Sequence, residues 1–239
     1  MNNLSRLSLY LLLSIALSCA IVTLGQPLFF DRLMVFSSIL GAIIVYRIDK
    51  DLFSVITIIA CSGVLSELMW LCREIIGDIV NYVLPILICF VSYQTRVSYS
   101  GKIGFLISMI VIFANIHWSV CSIPVPKGVS WFLIILFINQ LIILALLYRP
   151  HFLKAIGADS NSNYEWLSAD TQLMFVVTLF IMLESLAIFE YILRHSFMLV
   201  DYLHVYNSYE YIAQALHLTM FIILFKETYI SVRKNIFLA

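Results

Sequence analysis

The chain has 239 residues, 62% of them hydrophobic and 12% charged, and a mean hydropathy of +1.00. A water-soluble domain uses about 25% charged residues, so this composition excludes an ordinary soluble fold. The net charge of zero removes the electrostatic case for nucleic acid as a partner. The apolar residues come in runs too long for a core helix, which leaves the bilayer as solvent and 1–239 as a single transmembrane domain.

Eight apolar runs, bounded by charges and turn residues, follow in chain order. The first, 7–24, follows Arg6 and resembles a signal peptide as far as Leu17-Ser18-Cys19. Its apolar character continues through Ile21, Val22 and Leu24, so it reads as an uncleaved span, with a processed signal as the alternative. The second, 33–48, and the fourth, 79–93, are short for a span of ~20 residues and either cross with little tilt or re-enter. Between them Asp49-Lys50-Asp51 opens the third, 52–71. Gly101-Lys102 opens the fifth, 103–123, and the sixth runs over 129–148. A polar stretch at about 149–170 follows, then the seventh run, 172–193, and the eighth, 209–229. No run alternates apolar and polar residues as a barrel strand would. The expected fold is an all-α polytopic transmembrane helix bundle of about eight spans.

Basic residues set the expected orientation. Arg6, Arg47, Lys50, Arg96, Lys102, Arg149, Lys154, Lys226, Arg233 and Lys234 fall on one side of such a bundle, and only Arg32, Arg73, Lys127 and Arg194 on the other. Lys and Arg favour the cytoplasmic side, so both termini are expected inside, in a bacterial cytoplasmic (inner) membrane. Trp70, Trp118 and Trp131 then lie near outer ends of spans, and Tyr202, Tyr206, Tyr209 and Tyr211 crowd the last outer connection. The inner loop at 149–170 contains Trp166 and the small polar stretch 157–163. It reads either as a plain linker or as the docking point of a soluble protein partner.

None of the five cysteines forms a C-x-x-C pair. Cys72 and Cys121 both fall near the outer face, where a disulfide would form if their Cα atoms came within ~7 Å. Only Gly41, Gly63, Gly104 and Pro85 interrupt the spans. Substrate sites in broken helices use matched interruptions in two halves of a chain, and no such pair occurs here.

Ionisable groups inside a bilayer cost at least ~2.5 kcal/mol each on insertion scales, so each asks for a reason. Glu67 lies in the third run, His117 in the fifth, Glu184 and Glu190 in the seventh, and Glu210 and His217 in the eighth. Asn115, Asn139, Gln140 and Gln214 are uncharged candidates to partner them. Glu210, Gln214 and His217, at i, i+4 and i+7, share one helix face. Most of these groups fall at mid-membrane or in the outer half, and Glu184, His117 and the Glu210-Gln214-His217 stripe are expected to converge on one interior site.

Three readings compete. The groups hold helices together; or they line an outward-facing pocket that binds a ligand or handles protons, with Glu184 and His217 as its deep pair; or His117, His217 and Glu184 ligate a metal, or two histidines a b-type haem. The last has no H-E-x-x-H and no histidines at i, i+4 behind it, and no cofactor follows from the sequence. No G-x-S-x-G, Ser-x-x-Lys or phosphate-binding glycine pattern points to an enzyme. The preferred function is therefore a non-enzymatic membrane component: a sensor, anchor or assembly subunit acting with a partner protein at 149–170, or in a homo- or hetero-oligomer. A small transporter or proton-coupled permease is the alternative, and an intramembrane metal-dependent enzyme the third.

Overall fold

A backbone in lipid has no water to bond, so its amides must be satisfied within the segment that crosses. In the computed structural model the described residues meet that demand with helices alone. The structure describes residues 14–15, 18–19, 21–23, 26–46, 49–76, 79–123, 127–155, 166–197 and 204–237. Among them are seven α-helices and no strand: α1 (Pro27–Val45), α2 (Lys50–Ile76), α3 (Ile79–Gln94), α4 (Tyr99–Val120), α5 (Lys127–Ala155), α6 (Ser168–Phe197) and α7 (His204–Phe237). Five of them, α2, α4, α5, α6 and α7, contain stretches long and apolar enough to cross a membrane, and the apolar stretch Val80–Gln94 of α3 is shorter.

The helix starts follow local chemistry. Pro27 opens α1, where its missing N–H costs nothing. Asp49 precedes α2 and accepts from the Leu52 N–H at 3.0 Å. Ser98, in an extended conformation, caps α4 by accepting from the Gly101 N–H at 3.1 Å. Ser122 has φ 55° just past the end of α4, a left-handed conformation that turns the chain out of the helix.

Several boundaries differ from the sequence expectation. The first expected span, 7–24, lies largely outside the described residues. α1 begins at Pro27 rather than at 33, which brings Asp31 and Arg32 inside a helix. α5 does not stop at Tyr148: it runs on through Arg149 and Pro150 to Ala155, and α6 begins at Ser168. The segment read as a loop at 149–170 is thus helical at both ends. Arg149 and Asp170 fail as helix stops because, as shown below, they pair with each other.

The chain forms two compact units. The first comprises 1–63, 149–173 and 210–239. Its buried residues include Phe30, Val45, Leu52, Val55 and Ile56. Gly63 allows α2 to approach α1 closely, since a Cβ there would lie 2.6 Å from Val35 Cγ2. The second comprises 64–148 and 174–209. Ile88, Val111, Trp118, Leu133, Leu136, Ile181 and Ile188 are among its buried residues. Here α3 packs along α4, and Gly104 on α4 lies where a Cβ would clash with Gln140 Nε2.

Large apolar side chains are exposed on the same helices: Phe29, Phe36 and Ile43 on α1, Ile86 and Phe90 on α3, Phe113 on α4, and Phe175 and Leu186 on α6. In water such surfaces would aggregate; in a bilayer they face a matching solvent. The expected Cys72–Cys121 disulfide is not formed. Both thiols are free, and Cys121 instead lies against His117, with Sγ 3.8 Å from Nδ1.

Candidate functional site

Within the second unit the most deeply placed ionisable group is Glu184 on α6, whose side chain is fully buried. Asn139 on α5 donates from Nδ2 to Glu184 Oε1 at 2.6 Å. The other oxygen, Oε2, has no hydrogen-bond partner among the described residues. Glu190 lies further along α6 and does a different job. Its carboxylate accepts from the backbone N–H groups of Val205 at 3.2 Å and Tyr206 at 2.8 Å. These belong to the first turn of α7, where helix amides lack intrahelical partners and the helix dipole favours a negative charge. Glu190 is therefore a helix cap supplied from a neighbouring helix, a role that spacing within α6 does not reveal.

Pro85 interrupts α3. A proline has no N–H for the carbonyl one turn back, which here is Asn81. Asn115 on α4 supplies the missing donor: its Nδ2 donates to the Asn81 carbonyl at 2.6 Å. Ser130 on α5 in turn donates to Asn81 Oδ1 at 2.5 Å. One backbone defect thus ties three helices together. At the other end of α3, the turn into α4 is similarly pinned. Ser98 Oγ donates to the Thr95 carbonyl at 2.7 Å, and Gln140 Nε2 on α5 donates to the Ser100 carbonyl at 2.8 Å. Gly101 is required there, because a Cβ would clash with the Thr95 carbonyl oxygen.

The first unit holds a buried charge cluster that sequence reading missed. Arg149 on α5 is 2% exposed and forms a two-point pair with Asp170 on α6: Nε to Oδ1 at 3.1 Å and Nη2 to Oδ2 at 2.6 Å. Its Nη1 reaches Asp51 Oδ1 on α2 at 2.8 Å and Ser54 Oγ at 3.4 Å. Asp170 also accepts from the Leu167 N–H at 2.9 Å. The planar guanidinium suits this, since its donors spread in a fixed fork that matches a carboxylate. Asp49, beside the cluster in sequence, accepts from Ser231 Oγ on α7 at 2.8 Å. The sequence signal is the pair of opposite charges at the two ends of 149–170, which hydropathy alone reads as span boundaries.

The remaining sequence candidates are placed as follows. His117 is exposed near the end of α4 and shares no hydrogen bond with Glu184. Glu67 is half-buried on α2, without a hydrogen bond or ion pair among the described residues. On α7, Glu210 is exposed and Gln214 is buried. His217 is half-buried, with Nδ1 3.7 Å from Asp31 Oδ1 on α1 and its ring 6.4 Å from that of Phe30. Asp31 is an unexpected neighbour because it lies in 25–32, between the apolar runs 7–24 and 33–48. Among the described residues no three His, Cys, Asp or Glu side chains come together in a way that could hold a metal ion.

No family model matches the chain, and neither a curated protein nor a solved structure matches it.

Proposed function

We propose that the chain is a non-enzymatic, multi-pass component of a bacterial cytoplasmic membrane: a scaffold or assembly subunit with both termini inside, working with a protein partner at 149–170. The observation that supports this most is the use made of the buried ionisable side chains. Arg149 is bonded to Asp51 and Asp170, Glu190 to the start of α7, and Glu184 to Asn139. Each joins helices of its own unit, which is what structural polar groups in a bilayer do. Arg149 and Asp170 also stand at the two ends of the proposed docking segment, so their pair holds those ends together.

A second reading, a proton-coupled permease, draws on one observation: Glu184 Oε2 is buried and lacks a partner among the described residues. Intramembrane carboxylates in that situation mark proton relays in pumps and transporters. Proton flux into proteoliposomes separates the two. The scaffold reading expects wild type and Glu184→Gln to be no leakier than protein-free vesicles, and a tag on the full chain to recover a partner that is lost when 157–163 is replaced by Gly-Ser repeats. A flux that is present in wild type and absent in a folded Glu184→Gln variant would replace it with the permease.

A further inference from the structure

The turn between α3 and α4 carries a repeated pattern, Tyr93-x-x-Arg96 and Tyr99-x-x-Lys102. In each copy the cation lies over the ring one helical turn before it: Arg96 Cζ is 4.7 Å from the Tyr93 ring centre, and Lys102 Nζ is 5.5 Å from that of Tyr99. All four side chains are exposed, and Val97 between them is 93% exposed. No Asp or Glu occurs anywhere between Asp78 and Asp159, so α3, α4 and α5 contain no carboxylate to neutralise the two cations. Beneath this surface the turn is fixed by the buried Thr95, Ser100, Gly101 and Gln140 contacts described above.

We propose that the α3–α4 turn binds the phosphate of an anionic phospholipid head group in the leaflet that it faces. Cation–π stacking leaves the N–H donors of Arg96 and Lys102 directed at the surroundings, and a phosphate oxygen is their natural acceptor. Tyrosines at the same level suit the interface between tails and water, and exposed Val97 suits insertion at its edge. Because the turn is pinned from below, little freedom is lost when a head group docks. The inference needs the chain to lie in a bilayer, but it does not depend on whether the chain is a scaffold or a permease.

Native mass spectrometry of the full chain, released from detergent supplemented with phosphatidylglycerol or phosphatidylcholine, tests it. The wild type should retain phosphatidylglycerol preferentially, and the R96Q/K102Q variant should lose that preference by about ten-fold or more, from the attraction typical of two basic residues at an anionic surface. K226Q, which removes an exposed cation on α7, should keep it. Equal retention of the two lipids, or undiminished preference in R96Q/K102Q, overturns the proposal. So does displacement of the lipid by inorganic phosphate where sodium chloride of equal ionic strength has no effect, since the site would then take free phosphate. If R96Q/K102Q loses helix content, R96Q and K102Q taken singly give the same decision.

Discussion

Asn115 is the residue whose role is most sharply defined. It donates to the one carbonyl that Pro85 leaves without a helical partner. Asn115→Leu should therefore destabilise the protein in detergent unfolding by about 1–2 kcal/mol, near the upper range for an interhelical hydrogen bond in a membrane. In a Pro85→Ala background the helix can satisfy Asn81 itself, and the cost of Asn115→Leu should shrink. Equal costs in both backgrounds would separate Asn115 from the proline. Arg149 leads to a second expectation. Asp170→Asn leaves a buried guanidinium short of a charge partner, and should cost roughly 3–5 kcal/mol. It should do so almost equally in low and high salt, because a buried pair is poorly screened; a loss that vanishes in 1 M salt would place the pair at the surface. These roles were partly legible. Asn115 and Glu184 were recognisable as polar groups in apolar runs. Asn139 stood among the uncharged candidates to partner Glu184, although it lies 45 positions away; Asn81 did not, because nothing local links it to Asn115, 34 positions along the chain. Asp51, Arg149 and Asp170 were missed for a related reason: hydropathy treats a charge as the end of a span, whereas a charge that meets its counter-ion can be buried.

At the scale of elements, the long apolar runs were readable because a bilayer tolerates little else. The stretches that became α2, α4, α5, α6 and α7 were each anticipated; boundaries differ where charges pair, as at Arg149 in α5, and, in α1, where Pro27 stands in the first turn. α5 shows how far such an error reaches. Its 29 residues extend ~44 Å at 1.5 Å each, more than the ~30 Å hydrocarbon core, and its apolar stretch, Gly128–His151, takes in Arg149 instead of stopping before it. Close packing was the least legible feature. Gly104 looked like a mild helix interruption, yet it sits where a Cβ would meet Gln140 Nε2 and would lie 2.6 Å from Ser92 Oγ. Gly104→Val should destabilise the second unit by about 1–3 kcal/mol through overpacking. Gly41 is the internal comparison, because among the described residues a Cβ there meets only Ile56 Cγ2, at an ordinary 3.8 Å. Gly41→Ala should be neutral or slightly stabilising, and the two variants would be compared in one unfolding series.

For the whole molecule, the central claim is that these helices are solvated by lipid. Composition alone pointed there, and the structure adds the particular side chains that must face the bilayer. Phe113, Phe175 and Leu186 are 64%, 65% and 54% exposed on α4 and α6, so a cysteine at any of them would be open to reagent if water surrounded the protein. That makes them more informative than buried positions, which any fold protects. The most direct measurement is labelling of single-cysteine variants, in a background with the five native cysteines replaced by Ala, using a charged maleimide on intact membranes. Cysteines at Phe113, Phe175 and Leu186 should stay unlabelled until detergent is added, while one at Ser160 labels only from the inner side and one at Lys127 only from the outer side. Rapid labelling at the three helix positions in intact membranes would contradict the membrane account outright, and labelling at Ser160 from outside with none at Lys127 would invert the proposed orientation.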